Sequence, residues 1–102
     1  MKRNEEVIIK TENVTVRVLS LATGESTPWH FHKEVTDNMF CLSGELSVRL
    51  KNPDGEVRLQ LGQRSEVHPL RVHQVANMGS KEANYLLVQG VGQYDFNVVG
   101  SQ

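Results

Sequence analysis

Along most of the chain, apolar positions recur at every second residue, in short runs broken by turn residues. Alternate side chains of a strand face opposite sides of a sheet, so runs of this kind at spacings of roughly eight to twelve residues predict a series of strands. Glu6–Thr11 and Val14–Leu21 are rich in β-branched residues and are parted by Glu12-Asn13. In the second run Val14, Val16 and Val18 fall on one face and Thr15, Arg17 and Leu19 on the other, which predicts a half-buried strand. A turn at Ala22–Glu25 leads into a strand carrying His30 and His32. Asp37–Ser43 is mostly apolar and predicts a strand covered on both faces. Glu45–Lys51 alternates, with Leu46, Val48 and Leu50 inward. Asn52-Pro53-Asp54-Gly55 predicts a type I turn with Gly55 in the left-handed position. That turn closes a hairpin onto Glu56–Leu61, whose inner face is Val57, Leu59 and Leu61. Arg64–Val67 follows as a strand, and Pro69 makes His68–Arg71 a loop or an edge. Val72–Asn77 carries His73 and Val75 on one face, Ala83–Gln89 is the last strand, and Gly90–Gln102 is a tail. No stretch keeps a helical period. The expectation is an all-β sandwich or barrel in a single domain spanning residues 1–102.

Length and charge narrow the classes. A chain of 102 residues buries only about two-thirds of its unfolded surface. Pairing with a second copy is therefore expected, with the N-terminal region 1–13 and its apolar strand Glu6–Thr11 as the pairing element and a homodimer as the product. The formal charge is −1 and the basic residues are scattered, which gives no footprint for nucleic acid. Acidic residues in MKRNEEVIIK stand where a secretory leader needs an apolar core. No apolar run approaches the roughly 18 residues that a membrane span requires. The single cysteine, Cys41, has no partner for an internal disulfide; it reads as a small buried hydrophobe, and a cytoplasmic location is expected.

The candidate chemistry lies in GESTPWHFHKEVTDNMFCLSG, residues 24–44. His30 and His32 point to one face of an extended strand, and Phe31 points to the other. Two imidazoles on one rigid face make the usual start of a divalent-metal site. Asp37, at an odd offset, reaches that site only if the chain bends between Lys33 and Thr36. Either it ligates an ion, directly or through water, or it caps the turn before its own strand. His73 is a third candidate ligand from far along the chain. His68 reads as a rim loop residue that could contact a substrate, and Arg71 shares the face of His73 if that segment is extended. Together with Asp37 these are the candidate catalytic residues. The remaining arginines, Arg17 among them, read as solvated outer-face residues. Trp29 and Phe31 belong to the core or the barrel mouth. The group Tyr94-Asp95-Phe96 either folds back over the mouth or lies as a surface tail.

The spacing of Gly24, His30, His32, Asp37 and Gly44 resembles the first motif of the cupin family, with Asp37 where the family usually has glutamate. Gly62, His73 and Asn77 match the ends of the second motif. Its centre departs, with His68 at the proline place and Leu70 at a glycine place. This resemblance covers nearly the whole chain and implies a small double-stranded β-helix, or jelly-roll barrel. It further implies one divalent transition metal (Mn, Fe, Co, Ni or Zn) held by His30, His32, Asp37 and His73. The activities implied are those of dioxygenases, isomerases or epimerases, and lyases acting on small organic acids or sugars. A non-catalytic small-molecule-binding or structural module is the alternative.

Overall fold

A computed structural model describes residues 4–100. Residues 1–3 and 101–102, the outer ends of the expected pairing region and of the tail, lie outside the described residues. Among the described residues the chain forms ten strands and no helix. They are β1 (Asn4–Lys10), β2 (Val14–Leu21), β3 (His30–Phe31), β4 (Thr36–Ser43), β5 (Leu46–Leu50), β6 (Gly55–Leu59), β7 (Arg64–Val67), β8 (His73–Ala76), β9 (Ala83–Gly90) and β10 (Asn97–Val98). Two five-stranded sheets face each other, in the orders β1-β2-β9-β4-β7 and β10-β3-β8-β5-β6. Every pairing between named strands is antiparallel. This is the jelly-roll barrel that the strand pattern and motif spacing predict.

The core is the set of inward rows. Leu19 and Leu21 on β2, Met39 and Cys41 on β4, and Ala83, Tyr85 and Leu87 on β9 meet Leu46 and Val48 on β5 and Val75 on β8. Cys41 is thus a core residue. The valines of β2 stay half-buried on the opposite face, so Arg17 lies on the inward side and is not a solvated outer-face residue. In β4 burial alternates from Asp37 to Cys41, and Leu42 is exposed; one face alone is covered. β6 ends at Leu59, its only buried residue. The register sets Val57 opposite Val48, but β6 is a sheet edge and Val57 stays exposed, while Leu61 lies beyond the strand. The hairpin turn also differs: the Asn52–Pro53 peptide is cis, Asn52 is the left-handed residue (φ 58), and Gly55 opens β6. Asparagine visits that region more readily than other residues with a Cβ.

The framing positions have physical roles. Gly44 has φ +75, and a Cβ there would sit 2.6 Å from the Glu82 carbonyl oxygen and 2.8 Å from Ala83 Cα, both backbone atoms. Only glycine fits a turn so close to another chain segment. Asn77 is fully buried and donates to the Leu21 and Lys81 carbonyls while accepting from Gly79 N–H. It clamps the end of β2 to the loop after β8. Leu70, at a family glycine place, adopts φ 71 while its side chain stays exposed.

Candidate metal centre

Three neighbouring strands of the first sheet carry inward rows that begin apolar and turn polar at the same end of the barrel. β9 runs Ala83, Tyr85, Leu87 and then Gln89; β4 runs back through Cys41 and Met39 to Asp37; β2 runs back through Leu21 and Leu19 to Arg17. The register sets Asp37 directly opposite Gln89 and Arg17 opposite Leu87, which puts Arg17 diagonal to Gln89. On the facing sheet His73 follows Val75 on the inward row of β8, and its cross-strand partner is His30 on β3. His32 lies just past β3, and the chain then bends at Lys33-Glu34, as the odd offset to Asp37 requires.

One donor atom each from His30, His32, Asp37 and His73 falls within 4.8 Å of all the others, and all four residues are buried. The Nε2 atoms of His73 and His32 lie 2.9 Å and 3.2 Å from Asp37 Oδ2. Each imidazole uses its other nitrogen outward. The Nδ1 atoms of His30, His32 and His73 lie 2.7, 2.6 and 2.8 Å from the carbonyl oxygens of Pro28, Asp95 and Arg71. A carbonyl only accepts, so each Nδ1 carries a proton, and each Nε2 faces the interior, where it can hold either a second proton or a metal. Outer partners of this kind fix the tautomer and ring orientation of metal-ligating histidines.

The electrostatics follow from this packing. Burial pushes Asp37 up, but hydrogen bonds from His32 and His73 and their nearby charge outweigh it and hold the carboxyl well below its ordinary range. Burial pushes His32 down, and its hydrogen bond to Asp37 and the carboxylate's charge more than reverse this. At His30 the compensation is too small. Burial, against the bond to Pro28 O and aided by repulsion from His73 and His32, takes it down to about 4.

Arg17, Gln89, Tyr94 and Phe96 border the same cavity, and residue-type reasoning had not placed Arg17 or Gln89 there. The available signal was the alternation of ANYLLVQ, whose inward row ends in a glutamine. Gln89 Nε2 donates to Asp37 Oδ1 at 2.9 Å. The tail folds back over the mouth: Phe96 stacks on His30 with ring centroids 4.4 Å apart, and Tyr94 lies 5.6 Å from His32. β10 pairs with β3, and the Asp95 carboxylate accepts from Lys33 N–H at 3.0 Å. Lys51 Nζ lies 4.4 Å from the Trp29 ring centre, and Trp29 and Phe31 are both half-buried. The structure leaves two candidates outside the cluster. His68 is exposed on the loop after β7. Arg71 turns its guanidinium to the carbonyls of Lys51 and Pro53, at 2.8 Å each, and only its own carbonyl faces His73.

The Cupin domain family model matches residues 17–89. No curated relative matches this chain. A conserved protein with a double-stranded β-helix domain from Klebsiella pneumoniae superposes with a TM-score of 0.85 at 22% identity, over 98% of this chain and 86% of that one. A cupin superfamily protein from Desulfitobacterium hafniense gives 0.78 at 18% identity, over 89% and 79%. An oxalate oxidase gives 0.82 at 18% identity, over 95% of this chain but 55% of its own. These likenesses are of fold.

Proposed function

This chain belongs to the cupin family, and from that premise we propose that it is a small mononuclear metal enzyme acting on a small organic acid or sugar-like molecule at the barrel mouth. One divalent transition ion (Mn, Fe, Co, Ni or Zn) is held by His30, His32, Asp37 and His73. The observation that carries the reading is the proton inventory of the cluster. With every Nδ1–H directed outward, neutral imidazoles would set the lone pairs of two Nε2 atoms against a carboxylate oxygen at 2.9 and 3.2 Å. Such an arrangement calls for positive charge at its centre, supplied by Nε2 protons in the metal-free cluster and by an ion in the loaded one, and three imidazoles with one carboxylate suit a divalent transition metal. A bound ion would act as Lewis acid or redox centre on a substrate oxygen.

The chain's own residues define the rest. Phe96 and Tyr94 restrict water at the mouth, and Leu19, Val75 and Leu87 make the remaining wall apolar. Arg17 adds a cation to the wall, and its Nε is buried without a hydrogen-bond partner among the described residues. A buried donor of this type favours an acid over a neutral sugar. The second reading, a non-catalytic module in which the ion stabilises the barrel, is favoured by the cavity volume of about 30 Å³, room for little more than water. The test is elemental analysis of protein purified without chelator, followed by a panel of small acids and sugars with and without oxygen. One ion per chain, lost in His32→Ala, with turnover of an acid, supports the enzyme. Tight metal without turnover selects the module, and full metal content in His32→Ala overturns the site.

No helix of the described residues is long and apolar enough to cross a membrane. Val7, Ile8 and Ile9 of the edge strand β1 are each about half exposed, which supports a homodimer built on that strand.

A further inference from the structure

We propose that Arg17 is a positioning residue, which through Gln89 commits one oxygen of Asp37 and leaves the other alone facing the imidazoles. The proposal rests on the metal reading for its consequence, although the relay itself is present without an ion. Three links compose it. Arg17 Nη1 meets Glu5 Oε2 at 3.0 Å, Arg17 Nη2 donates to Gln89 Oε1, and Gln89 Nε2 donates to Asp37 Oδ1 at 2.9 Å. Gln89 and Asp37 are almost wholly buried, at 1% and 2% exposure, so water does not substitute for these partners.

Donor chemistry fixes the direction of every link. A guanidinium has only donors, so the amide atom facing it is the oxygen. The Gln89 amide nitrogen then faces Asp37, and Oδ1 is held as its acceptor. Rotating the amide would set donor against donor at Arg17 and acceptor against acceptor at Asp37. Oδ2 is the oxygen left for Nε2 of His32 and His73, and hence for a shared ion. The relay thus makes Asp37 a one-oxygen ligand, and its outer anchor is Glu5 on β1, away from the cluster. Without Arg17, Gln89 Oε1 becomes a buried acceptor with no partner, and the amide gains by turning away from Asp37.

Charge and relay predict opposite signs, and this makes the proposal testable. Deleting a cation near a metal site tightens cation binding by removing Coulomb repulsion, whereas loss of an outer partner that orients a ligand weakens it roughly 10- to 100-fold. The experiment measures Co(II) affinity and the visible d–d spectrum for wild type, Arg17→Met, Gln89→Leu and the double variant. Expected are a roughly tenfold weaker affinity and an altered spectrum in Arg17→Met, a similar loss in Gln89→Leu, and no further weakening in the double variant. Arg17→Lys, which keeps a donor, should restore part of the loss. Unchanged or tighter Co(II) binding by Arg17→Met, or losses that add in the double variant, would overturn the proposal. If wild type binds no Co(II), the metal reading falls. The relay is then judged in metal-free protein by proton exchange at the Gln89 side-chain amide: protection in wild type that Arg17→Met abolishes supports it, and equal exchange in both overturns it.

Discussion

Stripped of metal, the barrel should be destabilised by mild acid through one residue, His30. Its imidazole is 4% exposed, lies 4.3 Å from the His73 ring centre and 5.0 Å from that of His32, and is covered by Phe96. Burial and the neighbouring rings take it from 6.5 in the unfolded chain to about 4 in the folded one. The folded value is the lower, so between these two the unfolded chain binds more protons, and stability falls as pH falls. The contribution is complete above about 6.5 and is lost on the way to about 4. The shift corresponds to about 3 kcal/mol. For a domain of this size that is on the order of 15 °C in Tm. His32, shifted the opposite way, gains stability in acid, and Asp37 titrates below the window. Both are present in wild type and His30→Gln, so the comparison removes their own contributions and retains their coupling to His30. The assay is thermal unfolding of chelator-dialysed wild type and His30→Gln from pH 7.5 to 4. Wild type should lose about 3 kcal/mol more than the variant over this range. Parallel curves would refute the reasoning, and so would a steeper loss in the variant.

Other predictions concern the ligand set and the backbone. After identical dialysis Asp37→Ala should retain a substantial share of its metal and His73→Ala should not, because three imidazoles hold a divalent ion without a carboxylate; equal emptying would make Asp37 an anchor. Light scattering should give a dimer at micromolar concentration and a monomer for Ile8→Glu on the exposed edge of β1; a monomeric wild type ends that reading. Leu70→Gly should raise Tm by a few degrees, since it removes a left-handed cost of roughly 1–2 kcal/mol from an exposed leucine and gives back part of it as chain entropy. A lower Tm would show that the Leu70 side chain contributes contacts.

The local parts of this architecture were legible in the residues. Val14–Leu21 and Arg64–Val67 match their strands end to end, because period-two alternation and flanking turn residues are local signals. The His30–His32 face and the bend before Asp37 follow from the same geometry. Which face of a strand is inside, however, is decided by its neighbours. Alternation split β2 into a valine face and a face of Thr15, Arg17 and Leu19 without saying which is inner, and Leu19 and Leu21 lead the second face inward and take Arg17 with them. Asp37–Ser43 looked buried on both sides because its apolar residues are consecutive, but the second face meets no layer that covers Leu42. β10 is two residues long and exists through its pairing with β3, so no periodicity announces it. Gln89 became part of the site only once the register set it opposite Asp37.

The fold-back of the tail carries a consequence for the order in which the site is made. Every residue of the ligand cluster lies between positions 30 and 73, yet the carbonyl that orients His32 belongs to Asp95. A ribosome therefore delivers all four ligands, and the strand that carries Gln89, before it delivers the atom that fixes the third imidazole. Until Asp95 docks against Lys33, the His32 ring lacks the carbonyl that orients its outer nitrogen. The geometry of the cluster is in this sense completed by a segment that supplies no member of it.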